Sequence, residues 1–173
     1  MDFVNTPFLG NGVVLLKPLV KANYRALFEI ASDPLLWEYH PIRDGYTKTG
    51  FDKFFNEAIA AGSLLVIDKA NDKVFGCTRI YGYDKKESSV VIGHTFISRQ
   101  YWGKGYNKSI KQLMFDYVFR YVDKVVFYVV ENNTRSQKAL EKLGAFRVNR
   151  IVRSYENKEI NCWVYEMKKA KCL

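Results

Sequence analysis

A strand-sized run at Ser89 to Ile97 leads into two closely spaced glycines, Gly103 and Gly105, and then into an amphipathic stretch that ends near Val118. Tyr106, Ile110, Leu113, Met114, Tyr117 and Val118 recur at helical spacing on one face, and Lys104, Lys108 and Lys111 occupy the other. A second strand-like run rich in Val and aromatics, Lys124 to Val130, follows. Strand, helix and strand in such short succession fit one sheet as a parallel pair joined by a right-handed crossover. This unit restricts the chain to an α/β architecture.

The flanking sequence adds elements of the other kind. Val13 to Pro18 reads as a first strand, and Tyr24, Leu27, Phe28 and Ala31 as a helix closed by Asp33-Pro34, because Pro disfavours helical geometry in the residue before it. Phe51, Phe54, Phe55, Ala58 and Ile59 mark a second helix ended by Gly62. Leu64 to Asp68, Val74 to Tyr83 and Ser89 to Ile97, with turns at Asn71-Asp72 and Asp84-Lys85-Lys86, predict an antiparallel meander. After the crossover come a short helix from Thr134 to Leu143 and two strands, Phe146 to Tyr155 and Glu159 to Met167, around a turn at Asn157-Lys158. The expected order is β-α-α-β-β-β-α-β-α-β-β, a mixed, mainly antiparallel central sheet flanked by helices. No repeat, low-complexity tract or linker interrupts it, so residues 1–173 read as a single domain.

Charge narrows the partners. The net charge of +9 favours a polyanionic one. A nucleic-acid surface would interleave Lys and Arg with exposed aromatics. Here the basic residues are dispersed, with a local concentration at the helix after the glycine turn, which points to a phosphorylated cofactor rather than to DNA or RNA. No apolar run approaches the roughly 20 residues of a membrane span, and Met1-Asp2-Phe3-Val4-Asn5 lacks the pattern of a secretory signal. Cys77, Cys162 and Cys172 cannot pair fully and lack metal-ligand spacing, so a reducing cytoplasm and no bound metal are expected.

Gln100-Tyr101-Trp102-Gly103-Lys104-Gly105-Tyr106 lies where the strand hands over to the helix. Glycines let the backbone approach an anion closely, and the first N–H groups of a helix have no internal partner. Those donors, the helix dipole and the charges of Arg99, Lys104 and Lys108 make an anion site. The bland alternative is a turn that merely connects strand to helix.

The surroundings give the turn a family. With Ile92-Gly93-His94-Thr95-Phe96-Ile97 before it, and Asn133-Thr134-Arg135-Ser136 and Glu141-Lys142-Leu143-Gly144 after it, the chain resembles the GNAT superfamily of acetyl-CoA-dependent N-acetyltransferases. Lys17-Pro18-Leu19 and Ser32-Asp33-Pro34-Leu35-Leu36-Trp37 extend the likeness toward the branch that includes ribosomal-protein N-terminal acetyltransferases. The resemblance implies that Phe96, Ile97 and Ser98 pair with the pantetheine arm of acetyl-CoA as an added strand would. It also implies that backbone N–H groups of Gln100, Tyr101, Trp102, Gly103, Lys104, Gly105 and Tyr106 hold the pyrophosphate. Asn133 would bond the arm near the thiol, and Lys104, Lys108 and Lys138 are candidates for the remaining phosphate, their alternative being solvated surface charge. Members of this family often dimerise, so a homodimer is a further expectation.

The implied reaction is direct attack of a primary amine, from a protein or peptide N-terminus or a small molecule, on the thioester in a ternary complex. A backbone N–H near Thr95 or Phe96 would steady the oxyanion. Ser136 falls where the branch places a serine for the leaving thiolate, and Ser136, Ala139, Leu140 and Leu143 share a helical face; the alternative is a serine that caps backbone. Many members carry a tyrosine as general acid just before Glu-Lys-Leu-Gly, whereas this chain has Leu140. His94 titrates in the useful range for a base. Alternation sets it beside Ile92 and Phe96, so packing is the competing role. Trp37, Glu38, His40 and His94 are candidates to border the acceptor, the alternative for Glu38 and His40 being a surface helix end, and Arg79 is a candidate to bind an acidic acceptor or to reach solvent. The missing tyrosine keeps open a catalytically weak acetyl-CoA-binding module.

Overall fold

The crossover read from the glycine turn lies at the middle of the sheet. A computed structural model describes residues 3–40, 42–155 and 158–170. The strands are β1 (Leu9–Gly10), β2 (Val14–Pro18), β3 (Leu64–Asp68), β4 (Lys73–Asp84), β5 (Ser89–Ile97), β6 (Lys124–Val130), β7 (Phe146–Tyr155) and β8 (Lys158–Lys168). They form one sheet in the order β1-β2-β3-β4-β5-β6-β8-β7. Four α-helices cover it: α1 (Tyr24–Ala31), α2 (Lys48–Ala60), α3 (Tyr106–Val118) and α4 (Thr134–Glu141). Every pairing is antiparallel except β5 with β6, the predicted crossover. The two-residue β1 is the one strand the sequence did not suggest. Asn157 of the expected last turn, and Cys172, lie outside the described residues.

Local chemistry sets the element ends. Asp33 Oδ1 accepts from Leu35 N at 3.1 Å, starting a short 3-10 turn at Pro34 just after α1. Thr47 Oγ1 accepts from Gly50 N at 3.1 Å and caps α2, which closes before Gly62 at φ 65°. The sheet carries a core on each face. Ile92, Ile97, Phe127 and Leu140 pack with Ile110, Met114 and Val118 of α3 on one side. Phe96, Cys77 and Leu65 pack with α1, α2 and Trp37 on the other.

Two expectations fail here. Lys111 does not lie on the solvated face of α3: it is 4% exposed, and the buried stripe runs Ile110, Lys111, Met114, Phe115 and Val118. Residues 111, 114, 115 and 118 share a helical face, and the sheet covers that face although its first member is charged.

Nor does His94 share a face with Ile92. Arg79 pairs with Gly93 and Cys77 with Phe96, so His94 and Thr95 together oppose Thr78 alone. This β-bulge, with His94 at φ 47°, breaks the alternation. Gly93 and His94 both turn toward the α1–α2 face, where a Cβ on Gly93 would lie 3.2 Å from the Tyr81 ring and the His94 ring packs 6.1 Å from that of His40. Thr95 turns to the α3 face, while Phe96 falls on the α1–α2 side as His94 does.

The bulge coincides with a parting of strands. β5 and β6 pair only from Ser89 to Val91 and from Lys124 to Val126, although they run on to Ile97 and Val130. Beyond that point β5 keeps β4 and β6 keeps β8, and a wedge opens between them.

Candidate active site

The wedge ends at the glycine turn, which is tethered from below. The Tyr101 ring stacks on Phe75 at 4.2 Å, and the Tyr101 and Tyr106 hydroxyls donate to Asp68 Oδ2 at 3.2 and 3.4 Å. Trp102 Nε1 donates to the Ile97 carbonyl at 3.0 Å. The side chains of Tyr101, Trp102 and Tyr106 are therefore committed to the protein, and the turn presents backbone outward. Gly103 and Gly105 adopt φ of 73° and 84°, and a Cβ built on either would meet nothing within 4 Å. Gly105 is the N-cap of α3 and carries no side-chain cap, so among the described residues no side chain caps the first amides of that helix. This cradle of amides and positive dipole fits a diphosphate.

The surrounding charge is thinner than the sequence suggested. Arg99 pairs with Asp33 and is already neutralised. Lys104, Lys108 and Lys138 are exposed, with no ion-pair or hydrogen-bond partner among the described residues, and Gln100 is exposed beside them. Ser98 N donates to the Phe75 carbonyl at 2.7 Å, which fixes the end of β5, while Phe96 and Ile97 are buried on opposite faces.

The second motif faces the same wedge. Asn133 Oδ1 accepts from Ser136 N at 3.0 Å and caps α4. The Ser136 hydroxyl makes no bond to backbone among the described residues, and the residue is half-buried. Leu140 is 4% exposed in the α3-side core. One residue that sequence reasoning passed over joins the two motifs: the Arg135 guanidinium lies 3.6 Å over the Trp102 ring, a cation–π contact between the start of α4 and the glycine turn. An arginine at the second position of a short helix carries no sequence signal for that role. Asp68, the tether of the turn, was equally hidden at the end of an apolar strand.

The α1–α2 face brings the expected acceptor residues together, with one exception. His40 and His94 have rings 6.1 Å apart, Tyr81 lies 5.2 Å from His94, and Trp37 5.0 Å from His40. Trp37 itself is a core residue, 1% exposed, with Nε1 donating to the Ala31 carbonyl at 2.7 Å. Glu38 is exposed and contributes its backbone carbonyl to Arg43. Arg79 does not reach solvent: it is buried, and Nε donates to Ser63 Oγ at 2.9 Å. Burial, with the Arg79 charge adding to it, pushes His94 down to about 3. Burial likewise pushes His40 down to about 4, again with Arg79 and Arg43 adding. His40 Nδ1 accepts from Ile42 N at 3.1 Å, which leaves the neutral ring's proton on Nε2. Both imidazoles are neutral near pH 7 and weak as bases. No group of three or more His, Cys, Asp or Glu among the described residues could hold a metal ion.

Known proteins share this fold. A family model described as an acetyltransferase (GNAT) domain matches residues 14–145. A GNAT-family acetyltransferase from Bacillus anthracis superposes with a TM-score of 0.78 at 22% identity, covering 94% of this chain and 98% of its own. Ribosomal-protein-S5-alanine acetyltransferase from Vibrio fischeri gives 0.73 at 15% identity, covering 94% of this chain and 96% of its own. Spermidine N-acetyltransferase from Vibrio cholerae, in complex with CoA and spermine, gives 0.71 at 14% identity, with coverage of 91% and 96%.

Proposed function

The chain belongs to the GNAT family of acetyltransferases, with acetyl-CoA as co-substrate, and we propose that it acetylates the α-amine of a protein or peptide N-terminus. The observation that carries the site is the uncapped amide cradle at Gly103 to Tyr106, set at the mouth of the wedge between β5 and β6. The pyrophosphate of acetyl-CoA would lie on that cradle. Its arm would follow the free edge of β5 along Phe96, Ile97 and Ser98, with Asn133 and Ser136 at the thioester end. Bound there, acetyl-CoA supplies the activated acetyl group. Lys104, Lys108 and Lys138 would neutralise its outer phosphate.

The choice of acceptor rests on the α1–α2 face. Arg79 is a buried cation there, and Arg153 adds charge beside His94. A polycationic amine would be repelled, whereas a chain bearing carboxylate or carbonyl oxygens finds a partner. His40 and His94 are poor bases, which suits an amine that arrives partly neutral. An α-amine near pKa ~8 meets that condition, and a lysine-like amine near ~10 does not.

Calorimetry with CoA, followed by thiol release from acetyl-CoA against peptides with free N-termini and against spermidine, tests the proposal. Binding is expected, with turnover on peptides exceeding that on spermidine. Absence of CoA binding sinks the whole reading, and preference for spermidine sinks the choice of acceptor. CoA binding without turnover on any amine would favour the binding-module alternative, which Leu140 motivates. We also propose a homodimer, for which the outer edge of β7 exposes Phe146, Val148 and Val152; sedimentation analysis tests it.

A further inference from the structure

Lys111 is a charged side chain where the fold has no evident use for one. It is 4% exposed on the sheet side of α3, and its Nζ donates to Thr95 Oγ1 at 2.7 Å. No carboxylate among the described residues pairs with it. Thr95 follows the bulged His94, at the point where β5 has left β6. Its hydroxyl shares a 2.7 Å hydrogen bond with that of Thr78, which in turn contacts Met114 Sδ at 3.6 Å. An ammonium has three N–H donors, and Thr95 takes one. Two are left without a partner among the described residues. Met114 and Leu140 belong to the apolar core on this same face of the sheet, and Leu140 stands where the family resemblance implies a tyrosine acid.

We propose that Lys111 is the proton donor to the departing thiolate of CoA, a role that the family's tyrosine would otherwise fill. The assignment rests on the acetyl-transfer reading above. The acceptor nitrogen bonds to the carbonyl carbon, and the carbon–sulfur bond breaks with its electron pair on sulfur. Lys111 Nζ gives that sulfur a proton and becomes a neutral amine. The acceptor nitrogen releases its surplus proton to water, and water returns one to Lys111.

The environment suits a lysine that must lose its proton easily. Burial pushes Lys111 down to about 7. From β4, Cys77 bears on it as a neutral thiol, itself pushed up to about 12 by burial. From β5 it meets the Thr95 hydroxyl, from β4 that of Thr78 through Thr95, and along α3 the Met114 thioether. Among the described residues no other charged group bears on it.

The test uses the full chain and CoA itself. Calorimetry of the unaltered protein with CoA comes first, and failure to bind overturns the acetyl-transfer reading and this one together. The ultraviolet absorbance of the thiolate then reports the pKa of bound CoA. At pH ~7 and below, where Lys111 still holds its proton, the ammonium raises the thiolate fraction several-fold over that in Lys111→Met. Lys111→Met should still bind CoA while its turnover on a peptide amine falls about a hundredfold. In the unaltered enzyme the donor empties above pH ~7, so activity levels off as the acceptor amine becomes neutral and declines above pH ~8; Lys111→Arg keeps the charge without a transferable proton, so this limb disappears. An identical thiol titration in the two proteins, or Lys111→Met turnover within twofold of the original, overturns the proposal. Should Lys111→Met not fold, ¹⁵N-lysine NMR of the unaltered protein decides. Reciprocity requires the Lys111 titration to move upward in the complex with CoA thiolate, and an unmoved titration overturns it.

Discussion

Replacing Gly105 separates the backbone from the charge at the phosphate cradle. Gly105 sits at φ 84°, where an L-residue is strained by roughly 1–2 kcal/mol, and a Cβ there meets no atom within 4 Å. Gly105→Ala carries that strain with and without ligand, so it lowers stability and leaves affinity nearly untouched. For a chain of 173 residues the melting temperature should fall by roughly 4 °C. Gly105→Glu carries the same strain and also sets a carboxylate at the diphosphate. Two charges ~4 Å apart interact by about 1 kcal/mol in bulk water and about 4 kcal/mol near a protein surface. A net loss of about 3 kcal/mol raises the Kd for CoA roughly a hundredfold. Calorimetry of the three proteins at two salt concentrations is the assay, and the penalty should shrink at the higher salt. If Gly105→Glu binds CoA like the unaltered protein, no diphosphate rests on this turn. Equal losses in the Ala and Glu variants would show that the backbone conformation matters there and the charge does not.

Acid should destabilise the fold through its histidines. His40 and His94 are held at about 4 and 3 against an ordinary 6.5, so the unfolded chain binds more protons in that interval. Their contribution is full above pH 6.5 and is lost as pH falls through 4 and 3, on the order of 3 kcal/mol by pH 4 from His40 alone, trimmed by its partial exposure. Urea midpoints between pH 7 and 4 should fall less steeply in His40→Gln, and parallel curves would contradict the burial argument. Gly76→Ala should be severely destabilised, because its Cβ would lie 2.2 Å from the Phe96 carbonyl oxygen in the neighbouring strand; a melting temperature within a few degrees of the original would show that β4 and β5 yield there. Deleting His94 should restore regular alternation, since Gly93, Thr95 and Phe96 already point as an unbulged strand would have them. Stability should change little, with relief of backbone strain of order 1 kcal/mol offsetting lost packing, while CoA affinity drops as the wedge closes; unchanged affinity would mean that the bulge does not open the strands.

The sequence made the elements legible because their periods are strong. The α2 aromatics, the β3 to β5 meander and the α3 stripe emerge at nearly the residues read from pattern alone. The glycine turn was legible for a different reason, since two positive φ angles at a helix start demand residues without side chains. The misreadings share a physical cause. Alternation propagates face assignments by parity, and one extra residue at His94 reverses them without leaving a mark in composition. Lys111 occupies a stripe position, yet its charge outweighed its spacing in the reading. Arg135 over Trp102 and Asp68 beneath two tyrosines are long-range contacts that local pattern does not encode.

Those misread residues determine how one strand serves two faces. A regular β5 would turn a single residue toward each side at the wedge. The bulge turns Gly93 and His94 toward the α1–α2 face and Thr95 toward α3. On the first side stand imidazoles too weak to strip an ammonium; on the second stands a lysine without an anion. Proton removal and proton supply are thereby separated by the thickness of the sheet, with the proposed thioester between them. Such a division places the difficulty of the reaction on the acceptor, which must come already deprotonated. It follows that in Lys111→Arg, where the alkaline decline is absent, turnover should rise with pH through the acceptor's own amine pKa rather than through any histidine, and should shift when the peptide's N-terminal residue is exchanged for one of different α-amine basicity.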